Sequence, residues 1–126
     1  MPDYQDFTSI PVGQLGIIAL PGCEGPAKKI DDYLIKWRKE RESEHKNSLA
    51  FSGYQRDSYL LKTKVPRFGT GEGKAVFNHT ARGLDAYIIC DCFNHGVTYK
   101  MYGQTVPMSP DDHYQDLKRV IAALGG

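Results

Sequence analysis

Two short apolar runs constrain this chain most. They are Gly16-Ile17-Ile18-Ala19-Leu20, closed by Pro21-Gly22, and Ala86-Tyr87-Ile88-Ile89-Cys90. Both have strand length and neither alternates with polar residues, so each suits a strand buried on both faces. Helix signatures accompany them. Pro26 stands where a first helical turn tolerates proline, and Ala27, Ile30, Leu34 and Trp37 follow at three- and four-residue steps as one apolar stripe. Later, Ser109-Pro110-Asp111-Asp112 reads as a cap, a proline and acids at the positive end of a helix dipole. Tyr114, Leu117, Val120, Ile121 and Leu124 form the apolar face of that helix, and Gly125-Gly126 would cap it. Strands and helices in this order predict an α/β fold.

The remaining segments organise around these elements. Residues 1–15, with Pro2 and Pro11, read as an irregular N-terminal arm, and 16–126 as one domain. Residues 36–46 carry charges of both signs and read as a solvated helix end. Residues 47–56 and 94–108 are loops by composition. Residues 59–65 and 74–78 read as two strands of a hairpin with a long glycine-rich tip. The chain stops directly after a helix, where an α/β fold calls for a strand, so it looks cut.

Composition excludes several classes. At 126 residues, 40% hydrophobic and 25% charged, the chain can form one globular domain and is neither disordered nor collagenous. The 16 basic and 15 acidic side chains argue against a dedicated nucleic-acid binder. No apolar run reaches the ~18 residues of a membrane span, and the polar first residues are no signal peptide. Three cysteines without a secretory signal fit reduced thiols, and a cytoplasmic location is expected. Asn78-His79-Thr80 matches a glycosylation sequon by chance in that setting.

Few motifs carry chemistry by themselves. Gly69-Thr70-Gly71-Glu72-Gly73-Lys74 invites a phosphate-loop reading, but Phe68 stands where the first glycine is required and Ala75 follows the lysine. It also lies between strands rather than opening a helix. Read from the residues alone, a flexible hairpin tip and a functional loop stand level. Cys90-Asp91-Cys92 with His95 could ligate a metal, although zinc sites more often separate paired cysteines by two or more residues. Buried free thiols at a strand end are the plainer reading. His45, His79, His95 and His113 belong to no nucleophile triad and read as surface or loop residues, while helix capping accounts for Asp111 and Asp112.

Two segments together resemble a known family. Arg67-Phe68-Gly69-Thr70-Gly71-Glu72, followed by Thr80-Ala81-Arg82-Gly83-Leu84-Asp85-Ala86-Tyr87-Ile88-Ile89, resembles the amino-terminal half of ribose-phosphate diphosphokinases, the phosphoribosyl pyrophosphate synthetases. The first strand and the late helix fit the same pattern, so the resemblance spans 16–124. It implies a phosphoribosyltransferase-like α/β domain: a mostly parallel sheet, flanking helices and a protruding β-hairpin, with a second such domain beyond residue 126. It implies transfer of the diphosphoryl group of ATP to ribose 5-phosphate with magnesium, whose ligands lie outside this chain, in a homo-oligomer. By resemblance, Phe68, Thr70 and Glu72 hold the adenine of an ATP bound to a neighbouring subunit. Phe68 offers a ring to stack on and Glu72 an acceptor for an exocyclic amine. Thr70 replaces the acid or amide usual at its position. Thr80 and Arg82 match a regulatory phosphate site, for which a hydroxyl and a guanidinium suit. Residues 36–61 are longer than the family's usual connection. The catalytic histidine, the mobile basic loop and the ribose 5-phosphate loop would all follow residue 126, leaving no catalytic residue and no metal ligand here. The chain alone would then be inactive. Two other readings are a non-catalytic regulatory or assembly subunit of such an enzyme, and an unrelated small α/β binding module.

Overall fold

The computed structural model of the protein describes residues 13–45, 54–78, 81 and 83–125. The fold is mixed α/β. Its elements run β1 (Gln14–Ala19), α1 (Glu24–Ser43), β2 (Thr63–Lys64), β3 (Val76–Phe77), β4 (Leu84–Ile89), β5 (Thr98–Met101), β6 (Gln104–Pro107) and α2 (Pro110–Gly125). The two apolar runs pair in parallel with one unbroken register, from Gln14 opposite Leu84 to Ala19 opposite Ile89. On the other flank of β1, Leu60 forms a parallel bridge to Ile17. The Ile17 amide donates to the Tyr59 carbonyl at 2.7 Å and the Leu61 amide to the Ile17 carbonyl at 2.9 Å. β1 is therefore central, with the 59–61 segment on one side and β4 on the other.

Each face of this sheet has its own core. Leu15, Ile17, Ala27 and Tyr59 pack beneath α1. Ile18, Leu20, Leu61 and Val120 pack beneath α2. Alternate residues of β1 thus feed opposite layers, which is why the run has no polar position. Ile18, Leu20 and Val120 are fully buried, and each contributes about 1.5–3 kcal/mol by leaving water. β4 departs from the expectation of full burial: its residues are half-buried and Tyr87 is exposed. Among the described residues only β1 pairs with it. A shallow apolar groove of about 400 Å³ consequently runs between α1 and β4, past Ile30, Leu34, Tyr54, Tyr87 and Ile89.

Both helices are where the spacing predicts, but each is rotated from the predicted stripe. On α1, Ala27 and Asp31 are buried, while Ile30 and Trp37 are largely exposed. The reason is polar. Asp31 accepts the Tyr59 amide at 2.6 Å and the Ser58 hydroxyl at 2.8 Å, so this face must meet the 58–61 segment. The helix then runs through the charged stretch to Ser43. Most of its side chains there are exposed, except Arg38, which pairs with Glu42 and Asp57, and Arg41, which donates to the Tyr54 carbonyl. On α2, His113, Asp116 and Val120 are buried, while Tyr114 and Ile121 are half exposed. The predicted start is sound: the Asp112 amide donates to Ser109 Oγ at 3.1 Å, and the Ser109 amide to Asp112 Oδ2 at 2.9 Å. This is a reciprocal capping box with aspartate in the place of glutamate.

One predicted loop is not a loop. Residues 94–108 contain the hairpin of β5 and β6, closed by Tyr102 and Gly103. Both closing residues have positive φ, 51° and 82°, as a two-residue type I′ turn requires. Tyrosine is an uncommon residue for the first of those positions, and this concealed the turn.

Candidate functional site

The hairpin predicted over 59–78 is present. β2 pairs antiparallel with β3, and Arg67 bridges Gly73 nearer the tip. The Gly71 amide donates to the Phe68 carbonyl and the Phe68 amide to the Glu72 carbonyl, both at 2.8 Å. Gly71 has φ +91°. This is a three-residue loop, Gly69-Thr70-Gly71, with a left-handed glycine forming a bulge before Glu72. Phe68 and Glu72 are its closing pair and stand beside one another across the ladder.

The tip is anchored rather than loose. Arg67 extends back from it, donating to the Gly71 carbonyl at 2.9 Å and to Asp116 Oδ1 on α2 at 2.8 Å. Arg119 reaches the same carboxylate oxygen at 3.2 Å. The Arg67 guanidinium lies 4.6 Å from the centre of the Tyr99 ring on β5. The Tyr102 amide donates to the Gly69 carbonyl at 2.8 Å, tying the β5–β6 turn to the tip. Gly73 is buried against this cluster. A Cβ there would meet Arg119, Asp116 and Arg67 side-chain atoms at 3.2–3.3 Å. Burial raises the Asp116 carboxyl above its ordinary value, and the two guanidiniums only partly oppose it. Burial, with the Asp112 carboxylate alongside, likewise raises the Tyr99 phenol.

What the tip presents outward is Phe68, 56% exposed, with Thr70 and Glu72, also exposed. The three predicted nucleotide contacts therefore share one small surface, an aromatic face next to a carboxylate and a hydroxyl. Thr80 and Arg82 lie outside the described residues. Arg67 belongs to the sequence motif, but nothing in the sequence marks its partners Asp116, Arg119 and Tyr99. No local spacing signals a pairing across 49 residues.

A second place gathers polar groups. β1 lies between its successor segment 59–61 and β4, so the carboxyl ends of β1 and β4 form the crevice where the strand order reverses. Such crevices are the usual ligand sites of open α/β sheets. Here they hold the 20–23 turn and the 90–94 turn, joined by the Asn94 side-chain amide donating to the Gly22 carbonyl at 3.4 Å. Cys23 is buried, and Cys90 and Cys92 are half-buried free thiols. His95 is exposed. Among the described residues, no group of three or more His, Cys, Asp or Glu side chains is placed to hold a metal ion. His45 is exposed, with a left-handed backbone just past α1, and His79 lies outside the described residues. His113 corrects the expectation of a surface histidine. It is fully buried, with Nε2 2.7 Å from the Asn94 carbonyl. Beside the crevice, a cleft of about 600 Å³ opens between the start of α1 and the 58–64 segment, lined in part by Glu24, Ser58, Lys62, Lys64 and Asn78.

Among the described residues, no helix is long and apolar enough to cross a membrane. Compared with known proteins, the chain matches no family model, no curated protein and no solved structure.

Proposed function

We propose that this chain is the amino-terminal, phosphoribosyltransferase-like domain of a ribose-phosphate diphosphokinase, and that its hairpin tip forms one wall of the ATP site of a neighbouring subunit in a cytoplasmic homo-oligomer. One observation carries the proposal. Phe68 and Glu72 close an anchored three-residue loop and expose a ring and a carboxylate together. A purine needs such a pair: a face to stack on and an acceptor for its exocyclic amine. Anchoring matters because a loop already ordered loses little conformational freedom on binding. Thr70, between them, supplies a hydroxyl. Thr80 and Arg82 are assigned to a regulatory phosphate on the resemblance alone. By the same resemblance, the ligands of the magnesium lie outside this chain.

The test has two arms. The chain alone, given ATP, magnesium and ribose 5-phosphate, is expected to release no AMP; sustained turnover would overturn the domain assignment. In the complete enzyme, Phe68→Ala is expected to raise the Michaelis constant for ATP by about 5- to 150-fold, the equivalent of ~1–3 kcal/mol of base stacking. A constant unchanged by that substitution would remove Phe68 from the site.

A further inference from the structure

All three cysteines of the chain converge on the crevice between the carboxyl ends of β1 and β4, away from the hairpin tip. Cys23 is buried at the residue preceding α1. Cys90 and Cys92 leave the end of β4 with their Sγ atoms 3.6 Å apart. The chain turns just past the end of β4, and that turn brings the two thiols together. The carboxylate of Asp91, between them, accepts the Phe93 amide at 3.0 Å, fixing the turn that presents Cys92.

We propose that Cys90 and Cys92 form an oxidisable dithiol that closes to a disulfide by exchange with a low-molecular-weight disulfide such as oxidised glutathione. The proposal is independent of the nucleotide reading. In the first step one thiol of the pair loses its proton, and its sulfur attacks the small disulfide. A protein–glutathione disulfide forms and one glutathione thiolate leaves. In the second step the other cysteine, deprotonated, attacks the protein sulfur of that mixed disulfide and expels the second glutathione. The two cysteines are oxidised by two electrons, and one glutathione disulfide is reduced to two thiols.

Several features favour the 90–92 pair over a bond to Cys23. Cys90 and Cys92 are half-buried and open to a small reagent, whereas Cys23 is buried. Closing their gap to the ~2.05 Å of a disulfide needs a movement of about 1.5 Å, within reach of side-chain rotation and a small adjustment of the turn. The loop so closed is about as short as a disulfide can make, so the bond constrains the unfolded chain little. A disulfide of that kind acts as a reversible switch rather than a staple, since a strained short ring is readily reduced again. The turn it would pull on is a clasp. Asn94 donates to the Gly22 carbonyl at 3.4 Å and accepts through its own carbonyl from the His113 ring at 2.7 Å. Oxidation would therefore reach α2 and the 20–23 turn together.

The surroundings of Cys90 and Cys23 hold those two thiols protonated. Burial, then the neighbouring Cys92 thiol, pushes Cys90 up to about 12, and burial raises Cys23 as well. Whichever thiol attacks first, Cys90 must ionise in one of the two steps, so closure is expected to quicken as pH rises above neutral.

The experiment incubates the full chain with oxidised glutathione, quenches by alkylation, and counts free thiols with peptide mapping of the bridge. Two of the three thiols are expected to disappear into a Cys90–Cys92 bond. Cys23→Ser is expected to close at an unchanged rate, and Cys90→Ser and Cys92→Ser to stop at a mixed disulfide. A bridge to Cys23, stable glutathione adducts on the unsubstituted chain, no consumption of thiols, or a pH-independent rate would each overturn the proposal. The unsubstituted chain alone decides the matter if a variant fails to fold.

Discussion

An Asp116→Ala chain is expected to lose about 3–5 kcal/mol of stability in denaturant unfolding, because the substitution strands a buried charge. Asp116 and Arg67 have side chains only 1% and 9% exposed, so solvent replaces little of what Arg67 loses with the carboxylate. Arg119 loses the same partner. The hairpin tip is then released from α2, so amide exchange at Phe68 and Gly71 is expected to accelerate along with the global loss. Asp116→Asn keeps the shape and one acceptor oxygen, and its loss is expected to be clearly smaller. The pH dependence separates the two effects. Folding raises the Asp116 carboxyl above its ordinary value, burial being the main cause. Between the ordinary and the raised value the folded chain therefore holds more protons than the unfolded one. Stability relative to Asp116→Asn is greatest below the ordinary carboxylate range and falls as pH rises through the raised value. A rising or flat difference across that window would show that Asp116 is not held as described.

The sequence exposed the apolar framework and concealed the polar one. The runs at 16–20 and 86–90 became the central parallel pair, with each strand opening two residues earlier than predicted, at Gln14 and Leu84. The helices and the hairpin were readable because periodicity, caps and glycine placement are local signals. The errors in the two helix faces share one cause. Ile30, Trp37, Tyr114 and Ile121 belong to the predicted apolar faces, yet Asp31 and Asp116 are the residues that turn inward. A buried carboxylate is stable only through partners far along the chain: Ser58 and the Tyr59 amide for Asp31, Arg67 for Asp116. Those partners cannot be inferred from spacing, and each rotates its helix by part of a turn. The candidate site follows the same division. Phe68, Thr70 and Glu72 were legible as a motif, whereas the anchor that makes their loop a surface rather than a loose end was not. The juxtaposition of Cys23 with Cys90 and Cys92 depends on the β1–β4 pairing, which no local pattern specifies.

Tyr59→Ala is the second substitution with a large expected effect, about 3–5 kcal/mol, as for truncating a buried aromatic side chain. Tyr59 is fully buried where three structural units meet. Its ring packs with Leu15, Ile17 and Ala27 between β1 and α1. Its amide donates to Asp31 on α1, and its carbonyl accepts from Ile17 on β1. Its hydroxyl donates to the Tyr54 carbonyl, closing the segment that leads into the strand. The backbone bonds survive any side-chain change, so the loss measures the ring and the hydroxyl alone. Tyr59→Phe divides the two. It keeps the packing and removes one hydrogen bond, an expected loss of about 1 kcal/mol. The larger cavity left by alanine is also expected to loosen the 59–61 segment against β1, seen as faster exchange of the Leu61 amide, which donates to the Ile17 carbonyl. The base of the hairpin follows directly from this segment, with the Asn78 amide donating to the Lys62 carbonyl at 3.1 Å. The proposed nucleotide contacts at the tip are therefore expected to weaken in Tyr59→Ala, although residue 59 precedes the hairpin. Equal losses for Phe and Ala would mean that the hydroxyl, not the ring, holds this junction.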